Sequence, residues 1–501
     1  MRHTRHALGC ALLTAFCAQG AWASGYHFGT QSASAQGTAN AGALEASDAS
    51  VLFYNPAAMT LLDGTRASGV LNVVLPKGRY EDQGSFTSLN QPIQGGNGGR
   101  FVSATAVPHG YFTHKWSPDI TVGVGVFVPF GSKSEYDADW VGRYNTIGTE
   151  LKTIAINPSL SFKLNEKFSA GVGFTLQHIE GKLSKGADFG SGALNLIIDQ
   201  QVAANARPGV PTEVVRAAVV NQLSGLIKQV SGNPLYSGRV DVEGKDWGVG
   251  FNLGLMYQYD KDTRFGLAYR SNVRHKLKGD AHWQVQTPAA NLAALLNGAL
   301  GNGVGTTVQQ RLVGLYTDSD ASLNVNTPES LSLNFYKQQG KLGIMGDVTY
   351  TRHSRFQELR IDFANNLADS NTPQRWVNTT RASFGLNYQW SDALKLRGGV
   401  AFDQSPIDAI SNRTPSIPDN DRTWLSAGLN WKLSPKSSLD FALSYIHVNA
   451  SQINYYDNGA VTNASGSAVC DPSKNTSSCA TIRGRYNLHS ALLGIQYNHE
   501  F

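Results

Sequence analysis

Apolar and polar residues alternate with a period of two through most of this chain. From Phe168 to Leu176 the even positions are apolar, and Ser, Gly, Gly and Thr fill the odd ones. Trp247, Val249, Phe251, Leu253, Leu255, Tyr257 and Tyr259 share one face. Gly248, Gly250, Asn252, Gly254 and Gln258 share the other, interrupted only by Met256. The pattern returns over Ala382 to Trp390, Leu425 to Leu433 and Leu439 to Tyr445. Such alternation, with Tyr and Trp near strand ends, predicts strands facing lipid outward and a polar lumen inward. A soluble sandwich also alternates. It would not usually keep large apolar residues opposite a Gly/Ser/Asn/Gln face through the whole chain.

The connections carry independent information. Short polar turns are expected at Ser117-Pro118-Asp119, Asn165-Glu166-Lys167, Asp260-Lys261-Asp262, Gln338 to Lys341, Ser391-Asp392 and Ser434-Pro435-Lys436. Long loops are expected at 185–243, 281–321, 364–374, 406–420 and 450–484. Short turns on one side and long loops on the other are the mark of an outer-membrane barrel, the short turns being periplasmic. Six such turns, with both chain ends on their side, imply 14 strands, roughly 65–80, 101–116, 119–130, 148–164, 167–184, 244–259, 262–280, 322–337, 341–363, 375–390, 393–405, 421–433, 437–449 and 485–501. The fold class is therefore all-β, a transmembrane antiparallel barrel. The chain closes on Phe501, after Leu493, Ile495, Tyr497 and His499 at two-residue spacing. A terminal aromatic strand of this kind resembles the signal read by the barrel assembly machinery.

Composition agrees with a wall that has one face in lipid and one in a polar lumen. Of 501 residues 52 are Gly, 10% are aromatic and 16% charged. No run of about 18 unbroken apolar residues follows residue 24, so a membrane helix is not on offer, and a closed barrel is the remaining way to satisfy every backbone group in hydrocarbon. Arg2 and Arg5, the apolar stretch Ala7 to Ala18 and Ala21-Trp22-Ala23 describe a secretory signal peptide, residues 1–23. The net charge of +5 falls to +3 without Arg2 and Arg5, too little to argue for nucleic acid. Cys470 and Cys479 then remain in a polar stretch, and in an oxidising compartment they read as a disulfide pinning a loop. A metal site is the lesser alternative. No cofactor is expected.

Residues 24–64 do not look like wall. They are rich in Gly, Ala and Ser and include Asn55-Pro56-Ala57. Small residues suit close packing inside a lumen, and large barrels are commonly plugged, so this segment is expected to be an N-terminal plug. A periplasmic tail is the alternative.

The chain resembles the FadL/TodX (OmpP1) family of outer-membrane transporters of long-chain fatty acids and aromatic hydrocarbons. The resemblance rests on the Gly/Ala-rich start leading to Asn55-Pro56-Ala57, on Trp247-Gly-Val-Gly-Phe-Asn-Leu-Gly-Leu255, on Arg264-Phe-Gly-Leu-Ala-Tyr-Arg-Ser271 and on Ile417-Pro-Asp-Asn-Asp-Arg-Thr-Trp-Leu-Ser-Ala-Gly428. It covers nearly the whole chain beyond the signal segment. It implies a 14-stranded barrel closed by an N-terminal hatch containing Asn55, Pro56 and Ala57. It further implies capture of substrate in an apolar groove between two long extracellular loops, transfer to a lumenal pocket, and lateral exit beside a kinked third strand.

Each implied part has a counterpart in the residues. Loop 185–243 carries Pro211-Thr212-Glu213 followed by Val215, Val219, Leu223, Leu226 and Val230, a helix start and an apolar stripe. Loop 281–321 carries Pro288, Leu292, Leu295, Leu296 and Ala299. Val219, Leu226, Leu292 and Leu296 are the candidate groove, with simple packing as the alternative. In the third strand Pro129 and Gly131 are the candidate kink, since Pro removes a ladder donor. Arg360 and Lys182 are the candidates for a fatty-acid carboxylate, because each alternates against apolar neighbours and should point inward.

The expected function is thus passive uptake of a hydrophobic small molecule by a single-chain barrel in contact with outer-membrane lipid and lipopolysaccharide. Long-chain fatty acid is favoured over monoaromatic hydrocarbon. An enzyme is disfavoured, because no Gly-x-Ser-x-Gly or His-Glu-x-x-His occurs. A surface receptor or adhesin using loop 450–484, and an open diffusion porin, are the remaining alternatives.

Overall fold

The computed structural model describes residues 25–471 and 474–501; the expected signal segment and Ser24 lie outside them. The alternating segments form one closed antiparallel barrel of 14 wall strands. They are β1 (Thr65–Asp82), β2 (Thr105–Ser117), β3 (Ile120–Phe127 continued by Gly131–Glu135), β4 (Gly148–Lys163) and β5 (Phe168–Asp188). Then come β6 (Ser237–Gln258), β7 (Thr263–Arg270 and Val273–Gln284), β8 (Ser319–Thr327 and Ser330–Gln339) and β9 (Leu342–Thr351 and Glu358–Phe363). The ring is completed by β10 (Ser370–Pro373 and Thr379–Gln389), β11 (Leu394–Asp403), β12 (Arg422–Ser434), β13 (Ser437–Val448 and Ser451–Tyr456) and β14 (Thr481–Glu500). Each strand pairs with the next, and β14 pairs back onto β1 from Arg66↔Glu500 to Asp82↔Gly484.

The faces are those the alternation predicts. Phe174, Val249, Phe251, Leu255, Phe384 and Leu425 are exposed on the outside, while Thr175, Asn252, Ser383 and Asn387 are buried toward the lumen. All six short turns lie where expected. The β5–β6 hairpin, however, stays paired out to Asp188↔Ser237, so its loop spans 189–236 rather than 185–243.

That loop and the β7–β8 loop fold into helices: α3 (Phe189–Ala204), α4 (Thr212–Gln222), α5 (Ser224–Val230), α6 (Gln286–Leu300) and α7 (Val304–Leu315). α3 begins where Asp188 accepts a hydrogen bond from the Ser191 amide at 3.0 Å, a side-chain N-cap. The helices bury one apolar cluster containing Leu194, Ile198, Ile227, Leu292 and Leu296, and so form a cap.

Residues 25–64 run inside the ring. They contain two one-turn helices, α1 (Ala33–Gln36) and α2 (Val51–Tyr54), and a 3-10 turn, Pro56–Leu61. Leu44, Leu52, Ala57 and Met59 are fully buried against Met256, Met345 and Tyr336 of the wall. Met256, the one apolar residue on the inward face of β6 between Gly248 and Gln258, is therefore where the wall meets this segment.

Candidate functional site

The N-terminal segment is fastened to the wall in three ways. Asn55 caps the 3-10 turn, its side-chain oxygen accepting from the Ala57 amide at 3.1 Å. Its amide nitrogen donates to the Leu255 carbonyl at 3.2 Å and to Asn334 at 3.2 Å. Asn55, Pro56 and Ala57 lie flat on glycines of the wall. A Cβ on Gly254 would fall 2.2 Å from Asn55 Oδ1, and one on Gly171 2.5 Å from the Ala57 nitrogen. Only glycine admits so close a backbone approach.

The second fastening is ionic. Glu45 accepts from Lys395 at 2.9 Å and Asn387 at 2.9 Å, and lies 3.4 Å from Arg397. Arg397 pairs in turn with Asp440. Burial alone would raise the Glu45 carboxyl, but Arg397 and Lys395 outweigh it and hold the group at about 2. The side chains of Glu45, Arg397 and Asp440 are almost wholly buried. A buried charge persists only when paired this completely.

The start of the segment is held differently, by backbone bonds to an interruption in the wall. β3 breaks at Val128-Pro129-Phe130, and its ladder to β2 ends at Gly110↔Val126. Tyr26 to Phe28 fill the gap as a short extra strand. The Phe28 amide donates to the Pro129 carbonyl at 2.9 Å, and the Gly131 amide donates to the Tyr26 carbonyl at 2.8 Å. Gln31 adds a side-chain bond to the Val128 carbonyl at 2.8 Å.

Tyr26 sits in an aromatic cluster. Its ring lies 5.2 Å from Trp376, 5.6 Å from Phe356 and 5.7 Å from Phe130. It lines an outer cavity together with mainly apolar side chains including Leu151, Leu183, Val242, Leu277, Leu323 and Ile361. Its neighbour His27 lines an inner cavity with Phe53, Asp347, Arg270, Arg381 and Asp403 among others.

The inner cavity is polar and carries cations. The Arg270 guanidinium lies over the Phe53 ring at 4.4 Å and donates to the Phe53 carbonyl at 2.9 Å. Arg381 donates to the Ala39 carbonyl at 2.9 Å and lies 5.1 Å over the Trp424 ring. Each guanidinium offers five donors, more than these contacts use. Asp347 is engaged by Asn334 and, at 2.8 Å, by Thr349, and Asp403 lies 3.7 Å from Arg422. Burial, and then Arg270, Arg381 and Arg422, push the His27 imidazole down to about 4. It is neutral at pH 7. The strongest anion-binding groups here are the two arginines.

The outer cavity continues into the cap. Val240, Ala281, Ile361 and Phe363 form an apolar cluster at its upper end. Trp283 and Tyr316 pack against both that cluster and the helical cap, their rings 4.6 Å apart. An unbroken apolar column thus runs from the cap to Tyr26.

The residues singled out in the sequence divide into distinct places. Val219, Leu292 and Leu296 are buried together in the cap core, and Leu226 packs partly buried against it; they touch one another rather than line an open groove. Pro129 and Gly131 bound the β3 break. Cys470 and Cys479 form a disulfide, with Cα atoms 5.6 Å apart.

Arg360 and Lys182 do not point inward. Arg360 is exposed and pairs with Glu358 at 3.2 Å and Asp369 at 3.8 Å. Lys182 is exposed and pairs with Glu243 at 3.1 Å. Their neighbours Ile361 and Leu183 join a buried apolar cluster inside the wall instead. The cause is an inversion of the wall. Above the lipid band the outside is water and the inside is the apolar cavity, so alternation continues with its faces exchanged. Arg270 and Arg381 were missed although a signal existed. Each is a basic residue on the polar face of a strand whose other face holds Phe265, Leu267 and Tyr269, or Ala382 and Phe384.

Among the described residues no three His, Cys, Asp or Glu side chains gather as a metal site would require. Comparison with known proteins gives a consistent picture. The family model described as outer membrane protein transport protein (OMPP1/FadL/TodX) matches residues 14–501. An outer membrane protein of Neisseria meningitidis serogroup B is 37% identical over 97% of this chain and 97% of its own length. The long-chain fatty acid transport protein of Escherichia coli K12 is 28% identical, covering 90% of this chain and 93% of its own. Among solved structures, a FadL homologue of Pseudomonas aeruginosa superposes with a TM-score of 0.77 at 23% identity, over 95% of this chain and 100% of its own. The toluene transporter TodX of Pseudomonas putida gives 0.59 at 17%, over 90% and 94%. The last two bear on fold alone.

Proposed function

The chain belongs to the OMPP1/FadL/TodX family of outer membrane transport proteins, and on that premise we propose that it carries long-chain fatty acids passively across the outer membrane. The observation that carries this reading is the pairing of an apolar outer cavity with an arginine-bearing inner one. Tyr26 lines the outer cavity and the adjacent His27 lines the inner one. A hydrocarbon chain gains roughly 25 cal/mol per Å2 on leaving water for the outer cavity. A carboxylate finds bidentate partners in Arg270 and Arg381.

Substrate enters along the column from the cap, where parting of the helices around Leu226, Leu292 and Leu296 opens the capture groove. The Trp283–Tyr316 contact is the first constriction, and displacement of Tyr26 is the second. His27 lines the inner cavity and its ring lies 5.3 Å from Phe130. The β3 break is therefore the nearest opening in the wall, and Tyr26 to Phe28 are its stopper. Residues 25–64 act as the hatch. Lateral exit toward lipid suits an insoluble product, because no ladder bonds to β2 need be broken above Gly110.

Uptake of labelled oleate by cells lacking their own fatty-acid transporter tests this reading. The chain restores uptake, and Arg270→Ala with Arg381→Ala lowers it by about tenfold, the loss of roughly one charge-assisted contact. Toluene uptake is unchanged by the pair. Absence of oleate uptake with the native chain refutes the fatty-acid reading. Toluene uptake without oleate uptake assigns the barrel to monoaromatic hydrocarbons, the reading that the aromatic cluster at Tyr26 favours.

A further inference from the structure

The outer surface of the barrel is not uniformly decorated where the lipid band ends. On β1 the outward residues run Leu71, Val73 and Leu75, then Lys77 and Arg79. On β14, read outward, Ile495, Leu493 and Ala491 are followed by His489, Asn487, Arg485 and Arg483. On β13 they run Phe441, Leu443 and Tyr445, then His447. The register aligns these changes. Leu75, Ala491 and Tyr445 form one cross-strand row, and Lys77, His489 and His447 form the next. Three adjacent strands thus switch from apolar to basic at the same row, over a width of about 10 Å.

One carboxylate, Glu81, shares this face and lies opposite Arg485 in the register without forming an ion pair among the described residues. Asp82 is turned to its own turn, accepting from Tyr80 at 3.2 Å and Gly84 at 3.1 Å. Lys77, Arg79 and Arg485 are exposed and, among the described residues, lie in no ion pair. Arg483 lies 5.6 Å over the Phe86 ring. Elsewhere on the outer face Lys182, Arg239 and Arg360 are each matched by an adjacent carboxylate, Glu243, Asp241 and Glu358, while Lys245, Arg274, Lys276 and Lys278 of β6 and β7 are exposed and, among the described residues, lie in no ion pair.

We propose that the outward face of β1, β14 and β13 docks one molecule of the phosphorylated glycolipid of the outer leaflet. Its acyl chains lie on Leu71, Leu75, Leu493 and Tyr445, and its phosphates on Lys77, Arg79 and Arg485. The order of chemistry along the strands is that of the lipid, hydrocarbon below and anion above. Long basic side chains reach along the wall to an interfacial phosphate while their stems stay on apolar surface. Arg supplies the forked geometry that phosphate oxygens accept. Unpaired cations beside an anionic leaflet need a partner, and this lipid brings one at the right height. The inference is independent of the transported substrate.

Native mass spectrometry of the detergent-solubilised barrel, titrated with bisphosphorylated lipid A, tests it. The native chain holds one lipid A. Lys77→Ala with Arg79→Ala and Arg485→Ala weakens binding by about tenfold or more. Lys182→Ala, an equally exposed but paired cation, leaves it unchanged. Fully dephosphorylated lipid A binds the native chain no better than bisphosphorylated lipid A binds the triple variant. Heat-modifiable gel mobility confirms that the variants are folded. Should the triple variant not fold, Arg485→Ala alone serves, with an expected loss of about threefold. Equal binding by the folded variant, equal binding of dephosphorylated lipid A, or displacement by millimolar inorganic phosphate would each overturn the proposal.

Discussion

The lower and upper parts of this barrel obey the same alternation with opposite meaning. Within the lipid band, Leu253, Leu255 and Phe384 face out while Asn252, Ser383 and Asn387 face in. Above the band, Lys182, Glu243 and Arg360 face out while Ile179, Leu277 and Ile361 are buried inward. The strands β5 and β6 run unbroken through the change. What changes is the solvent on each side, lipid giving way to water outside and a polar lumen giving way to an apolar cavity inside. A period-2 pattern therefore specifies that two faces differ. It does not say which face is the lumen.

The largest way to break this comparison is a charge on the inner face of the upper part. Leu277→Asp places a carboxylate in the apolar cavity and costs several kcal/mol if it stays ionised. Transport is lost and thermal unfolding falls by many degrees. Ser330→Asp, inward in the lower part beside Arg270 in the register, shifts stability by less than about 1 kcal/mol. Equal destabilisation by the two, measured as heat-modifiable mobility against temperature, would show that the inversion carries no energetic weight.

The next largest effect concerns the glycines under Asn55. Gly254→Leu drives a side chain into the space of Asn55 Oδ1 and costs at least about 1–3 kcal/mol in overpacking. It lifts Asn55-Pro56-Ala57 off the wall, and planar bilayers then record a steady ion conductance that the native barrel lacks. A folded Gly254→Leu barrel that stays closed argues against the hatch.

Glu45 gives a smaller, pH-dependent effect. Its folded value is depressed, from 4.5 to about 2, so its contribution is complete above about pH 4.5 and fades as pH falls toward 2. The size is on the order of 3 kcal/mol. Hydrogen exchange in residues 25–64 should rise between pH 4.5 and 2 while the wall stays protected. Glu45→Gln should show the raised exchange already at pH 7.

The smallest expected effect is at Arg360. Arg360→Ala removes an exposed ion pair worth about 1 kcal/mol or less and leaves oleate uptake within about twofold. A large loss of uptake would place Arg360 on the substrate's path and weaken the assignment of Arg270 and Arg381.

The wall was legible because every strand residue reports its face, and errors in one strand are corrected by its turns. Six short turns and the apolar faces of β5, β6, β10, β12 and β13 sufficed for 14 strands. The site was less legible because its parts come from distant segments. The aromatic cluster joins Tyr26, Phe130, Phe356 and Trp376, and no local pattern connects them. α3 carried its own signal in Asp188, Ala193, Leu194, Ile197 and Ile198, but inside a long loop a helical stripe competes with an expectation of irregular chain. Arg360 and Lys182 misled because their strands run past the membrane, where the inference from neighbours reverses. Arg270 sat inside Arg264-Phe-Gly-Leu-Ala-Tyr-Arg-Ser271, a segment noticed for its resemblance rather than for the direction of its side chains.

The seam between β1 and β14 sets an order of events on this chain. Gln36 donates to the Leu492 carbonyl, 456 residues away, and Ala33 donates to Gln496. Part of the segment made early therefore docks on the strand made last. Contacts of such sequence separation are slow to form, since loop closure must be met before they return anything. Once the seam zips from Arg66↔Glu500 to Asp82↔Gly484, nothing as bulky as residues 25–64 can be threaded in. A nascent chain must hold its first forty or so folded residues within a still-open, curling sheet. Closure of the ring is then the step that encloses residues 25–64.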